Sequence, residues 1–121
     1  KNKKIAILGV TFKPNTDDMR ESCSLVMVPY LYKKGAKVFY YDPSGEKKEF
    51  KRFKNVFYCT SVREACLKAD LIIIHTEWDE FKAIDFKKIS KNKRIKIYDM
   101  RNLYSSKKMR NLGYSYYSIG R

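Results

Sequence analysis

Residues 71–75 read LIIIH, an unbroken apolar run of strand length. Continuous rather than alternating apolar character marks a strand buried on both faces, as in a parallel sheet. Shorter runs recur at 5–9, 38–41, 56–58, 95–98 and 114–118, and helical patterns separate them. Over 22–33, Leu25, Val28 and Leu31 share one helical face. Pro29 either kinks that helix or marks a later start. Gly35, behind Lys33 and Lys34, is a helix stop. Ser61 is an N-cap three residues before Glu64 for a short helix over 61–68. Two more short helices are expected at 85–90 and 105–111, and Asp42-Pro43-Ser44-Gly45 reads as a turn. Strands alternating with helices predict an α/β fold. The expectation is a three-layer, Rossmann-like domain with a mostly parallel sheet of five or six strands and helices on both faces.

The chain has 121 residues, enough for one domain and too few for two. No run approaches the roughly 20 apolar residues of a membrane span. The basic start at residues 1–4 precedes an apolar run too short for a signal peptide. The chain does not begin with Met and reads as a piece of a longer protein. Its net charge of +14 favours anionic partners. The lysines are spread along the whole chain, though, which fits solvated faces better than a nucleic-acid groove. The three cysteines, at irregular spacing and without a CxxC, read as reduced thiols in the cytoplasm, each expected to be buried. With one histidine there is no ligand cluster, and no metal is expected.

Ligands of parallel sheets bind beyond the carboxyl ends of the strands. That directs attention to the loops after residues 8, 41, 75 and 98. The first reads GVTFKPNTDDMRES and lacks the GxGxxG of dinucleotide folds. Lys13 offers a point charge suited to phosphate, and Phe12 beside it could cover a sugar or base. Asp17 and Asp18 are placed to pair with Arg20 or to cap the helix, and helix amides near Ser22 add a positive end. Asp42 stands where a ribose-binding acid would stand; without the glycines, its turn role with Pro43 is favoured. The third loop carries Glu77, Trp78, Asp79 and Phe81, with Trp78 able to pack or to bind. In the fourth loop, Arg101 follows Asp99 at a strand end, where a guanidinium could clamp phosphate or hydroxyls.

GVTFKPNTDDMRES, YYDP, ADLIIIHTEWDEFK and IYDMRNLY, in this order and spacing, resemble the carboxy-terminal domain of the UDP-glucose/GDP-mannose dehydrogenase family. TEWDEFK and DMRNLY most resemble its UDP-glucose 6-dehydrogenase members. The resemblance covers nearly the whole chain. It implies an enzyme that oxidises UDP-glucose to UDP-glucuronate with two NAD. An amino-terminal domain would hold NAD, and central helices would carry the cysteine nucleophile and form a homodimer. This domain would bind the UDP part of the substrate through Phe12, Lys13 and Arg101, while Arg20 reaches across to the cofactor. No catalytic residue is expected within the 121 residues, so the domain would bind without catalysing.

Two departures from the family pattern stand out. Cys23 occupies a position where many members have proline. Met100 replaces a glycine and could narrow the pocket or shift Arg101. Two other readings remain. One is the same domain of a UDP-N-acetylmannosamine or GDP-mannose dehydrogenase. The other is a basic nucleic-acid-binding module, for which no stacking platform is evident among the 10 Tyr and 7 Phe.

Overall fold

The computed structural model describes residues 3–90 and 95–119. The basic residues at 1, 91, 93, 94 and 121 lie outside them. Six parallel strands form one sheet: β1 (Lys4–Leu8), β2 (Lys37–Tyr41), β3 (Val56–Tyr58), β4 (Leu71–Ile74), β5 (Lys96–Asp99) and β6 (Ser115–Ser118). Their order is β3-β2-β1-β4-β5-β6, so the chain reverses its direction of travel between β1 and β4. That reversal opens the crevice in which such folds place ligands.

Each strand earns its place through alternate side chains. Ile5 and Ile7 of β1 face one core, and Ala6 and Leu8 face the other. On one face α1 (Ser24–Lys33) and a 3₁₀ turn (Lys48–Phe50) cover β1 to β3 through Val28 and Phe50. On the other, α2 (Val62–Cys66), α3 (Phe86–Ile89) and α4 (Ser106–Asn111) contribute Ala65, Cys66, Phe86 and Met109. A second 3₁₀ turn (Asp79–Phe81) adds Phe81. This is the expected three-layer arrangement, with one exception. On the α1 side of β5 and β6, Lys96, Tyr98, Ser115 and Tyr117 are exposed, so these two strands bury only one face.

The helix boundaries follow their caps. Ser61 accepts from the Glu64 amide at 3.0 Å while Glu64 reaches back to the Thr60 amide at 2.7 Å, a capping-box pattern displaced by one residue. Asp85 and Ser105 cap α3 and α4. Helix α1 begins two residues later than expected and runs through Pro29 without a break. Cys23, just before α1, is exposed and not buried, because no core element lies over the helix entry there; Cys59 and Cys66 are buried as expected. No helix among the described residues is long and apolar enough to cross a membrane.

Candidate functional site

At the switch point the β1 and β4 loops are tied together. Gly9 has φ +82°, a left-handed value that favours glycine, and a Cβ there would lie 2.5 Å from the Thr76 Cβ. Thr76 Oγ1 donates to the Thr11 carbonyl at 2.8 Å. The Gly9 to Phe12 amides of the β1 loop are spent internally. Gly9 donates to the Tyr41 carbonyl, Val10 and Thr11 to the Asp42 carboxylate, and Phe12 to the Asp18 carbonyl. The start of α1 is equally occupied. Ser22 and Ser24 both give their hydroxyl protons to the Val10 carbonyl at 2.6 Å, and the Leu25, Val26 and Met27 amides bond within the turn. At the positive helix end expected near Ser22, the Ser24 to Met27 amides are therefore already bonded. A dinucleotide does not fit this loop, because its pyrophosphate needs the amides that Asp42 already takes.

Two fully buried acids shape the rim. Asp42, at the end of β2, accepts from Val10 N at 2.8 Å, Thr11 N at 3.2 Å and Ser44 N at 2.9 Å. It holds the expected turn and, beyond that, the loop 31 and 32 residues earlier in the chain. Asp99, at the end of β5, accepts from Arg101 N at 3.0 Å, Tyr104 N at 3.0 Å and the Tyr116 hydroxyl at 2.6 Å. This bends residues 99–104 back over the sheet, with Asn102 at φ +54° in the left-handed region that asparagine tolerates.

Arg101 is fixed through its Nε. Its Nε donates to the His75 carbonyl at 2.8 Å and lies 3.8 Å from Glu77 Oε1, and its side chain is about one third exposed. Met100 is half-buried. It packs into the core shared by Val10, Met19 and Tyr40, and its backbone φ is negative, so the glycine of the family pattern is not required here.

His75 lies beneath, fully buried. The Thr76 hydroxyl proton goes to Thr11, so His75 Nδ1 must donate to Thr76 Oγ1, 2.9 Å away. That leaves Nε2 as a buried acceptor without a partner among the described residues. Burial lowers the imidazole pKa to about 4; the Arg101 cation adds to this, against the pull of Asp42 and the Gly9 carbonyl. Trp78 packs half-buried against the α2-side core with its indole N–H also unpartnered there.

The cationic candidates fall into two groups. Arg20 forms a bidentate pair with Asp18, with both contacts at 3.0 Å. These bonds lower the Asp18 pKa, and Lys13 adds a smaller coulombic pull. Lys13 is exposed and forms no ion pair among the described residues. Phe12 beside it is 44% exposed, a large apolar surface left in water. Arg101 belongs to a different loop, joined to that of Lys13 through Thr76 and His75. Arg20 lines a cavity of about 540 Å³ toward β2, together with Asp17, Ser44, Lys47 and Glu49.

Sequence reasoning passed over Thr11, Thr76 and His75 as site-shaping residues. Their signal is weak: two threonines and a histidine directly after apolar strands.

The family described as UDP-glucose/GDP-mannose dehydrogenase family, UDP binding domain, matches residues 6–106. A UDP-glucose 6-dehydrogenase of Rhizobium meliloti is 42% identical over 122 residues, covering all of this chain and 28% of that protein. Among solved structures, an NDP-N-acetyl-D-galactosaminuronic acid dehydrogenase of Methanosarcina mazei superposes with a TM-score of 0.84 at 26% identity. It covers 99% of this chain and 25% of its own. A UDP-D-ManNAc dehydrogenase of Pyrococcus horikoshii gives 0.74 at 28% identity, over 99% of this chain and 26% of that one. The chain thus spans about a quarter of the length of these relatives. With its strand order, its rim loops and this match in agreement, the chain belongs to the UDP-glucose/GDP-mannose dehydrogenase family, as its UDP binding domain.

Proposed function

We propose that this domain grips the diphosphate of a nucleotide sugar between Lys13 and Arg101, with Phe12 against the sugar or base. One observation carries the reading. The amides of Gly9 to Phe12 beside the switch point are consumed within the chain, yet the cationic side chains of Lys13 and Arg101 stand on loops that are tied together. A site of this kind recognises phosphate by side-chain charge rather than by a glycine-rich cradle.

In the longer protein the activity would be that of a UDP-glucose 6-dehydrogenase, oxidising UDP-glucose to UDP-glucuronate. The strong identity to a relative of that name supports this. NAD, which would accept the hydride, would be held by an amino-terminal domain, with Arg20 reaching it from the edge of this one. The nucleophilic cysteine would come from a central region that also forms a homodimer. The three free cysteines here fit a cytoplasmic setting. Residues 1–121 would act as one binding domain within that enzyme. The name of one solved neighbour, a UDP-D-ManNAc dehydrogenase, supports a second substrate, UDP-N-acetylmannosamine.

Titration of UDP into the full-length protein tests the reading, with a single-stranded oligonucleotide as the rival ligand. Saturable UDP binding, undisturbed by the oligonucleotide, is expected. Oligonucleotide binding that falls steeply with salt and ignores UDP would establish the nucleic-acid module instead.

A further inference from the structure

We infer that Asp42 is a positioning residue for nucleotide-sugar binding: its carboxylate fills the anion hole of the β1 loop from within the chain and so holds the segment bearing Phe12 and Lys13. This rests on the proposed grip of a nucleotide diphosphate by that segment.

The two oxygens of Asp42 do separate jobs. Oδ1 serves the local turn, accepting from the Ser44 amide and the Ser44 hydroxyl. Oδ2 serves the distant loop, accepting from the successive amides of Val10 and Thr11. Successive amides converging on one point form an anion-binding concavity. Here the anion is built in. A turn alone would need Oδ1 only, so the Oδ2 contacts require a second explanation.

The charge is also provided for. Lys47, only 5% exposed, donates its ammonium to Ser44 Oγ, which passes its own proton to Asp42 Oδ1. Asp42 is completely buried, and four protein donors surround its carboxylate. An amide in its place would turn an NH₂ group toward donors in either flip. The held peptides are fixed on their other side too, with Val10 O taken by Ser22 and Ser24 and Thr11 O by Thr76. Lys13 follows two residues beyond Thr11, and Thr11 Oγ1 donates to the Lys13 carbonyl at 3.0 Å. The backbone that carries the Lys13 side chain is thus held from Asp42.

The test uses Asp42→Ala and Asp42→Asn in the full-length protein, with UDP titration and amide exchange at residues 10 and 11. Asp42→Ala should raise the UDP Kd about tenfold or more, as expected when donors to a charged group lose it. Formate, which fits the vacated space, should restore affinity and slow amide exchange where chloride of equal ionic strength does not. Val28→Ala, a core truncation on α1, shows how far lost stability alone affects UDP binding. Asp42→Ala with UDP affinity no weaker than that of Val28→Ala, or without formate rescue, overturns the inference. Should the alanine variant fail to fold, the isosteric asparagine variant carries the test, and parent-like UDP affinity in it is equally fatal. A parent protein that binds no UDP defeats the functional reading instead. Amide exchange then judges Asp42 alone, and unchanged protection of residues 10 and 11 in the variants refutes the filled hole.

Discussion

Thr76 gives its hydroxyl proton to the carbonyl of Thr11 across the switch point of the sheet, 2.8 Å away, and receives one from His75. Two loops 65 residues apart in sequence are thereby joined where a ligand would enter. Thr76→Val keeps the shape and removes the link, leaving the buried Thr11 carbonyl unsatisfied. A loss of about 1–3 kcal/mol in urea-unfolding free energy is expected. Gly9→Ala should cost at least as much, since it adds both a left-handed φ and a clash with the Thr76 Cβ. Stability equal to the parent in both variants would show that this junction is slack.

The buried imidazole of His75 makes the fold acid-sensitive. Its pKa falls from 6.5 to about 4 on folding, chiefly through burial. Between these values the unfolded chain binds the proton and the folded one does not. Stability is therefore fully present above about pH 6.5 and declines as the pH falls, by roughly 3 kcal/mol at pH 4. Unfolding free energies measured between pH 7 and pH 4 should show this slope, and His75→Gln should flatten it. A slope unchanged by the substitution would assign the acid sensitivity to other groups.

The cysteines should separate by reactivity. Cys23 is exposed, whereas burial pushes the Cys59 thiol up to about 11 and that of Cys66 higher still. Iodoacetamide near neutral pH should label Cys23 in the folded protein, and Cys59 and Cys66 only after denaturation. Mass spectrometry of the labelled peptides reads this directly. Rapid labelling of Cys66 in the native state would contradict the packing of α2 against the sheet.

Arg20 is committed to Asp18 through a bidentate pair, beside the cavity toward β2. Arg20→Ala in the full-length protein should weaken NAD while leaving UDP affinity within about twofold, as for an interaction with an independent site. Fluorescence titration of NAD and calorimetry with UDP separate the two. Loss of UDP affinity alone would move Arg20 into the substrate grip.

Much of the fold is legible in the sequence because its signals are local. The run at 71–75 is apolar on both sides of the strand and becomes a central strand, β4. Ser61, Asp85 and Ser105 cap helices within a few residues of where their spacing puts them. Most of the misses are not local. Alternation in β5, with Lys96 and Tyr98 outward, signals a strand buried on one face, and the expectation of full cover overlooked it. Cys23 follows apolar statistics only where a neighbouring element covers it, and none does. Asp42 reads as a turn acid because its nearest partner is Ser44. Its second oxygen answers to residues 31 and 32 positions earlier, a contact that only the strand order creates. The same holds for the spent amides of the β1 loop. The missing glycines say that a dinucleotide is not held in the usual way, but not that an internal carboxylate takes its place.

The grip itself is tested most directly by a double-mutant cycle on Lys13 and Arg101. UDP and uridine are titrated calorimetrically into the full-length parent, Lys13→Ala, Arg101→Ala and the double variant. Each single change should weaken UDP by about 1.5–3 kcal/mol, the range for a hydrogen bond to a charged group, and leave uridine nearly unaffected. The two losses should also be non-additive, as for residues holding one diphosphate. UDP affinities equal to the parent in both single variants would contradict the account.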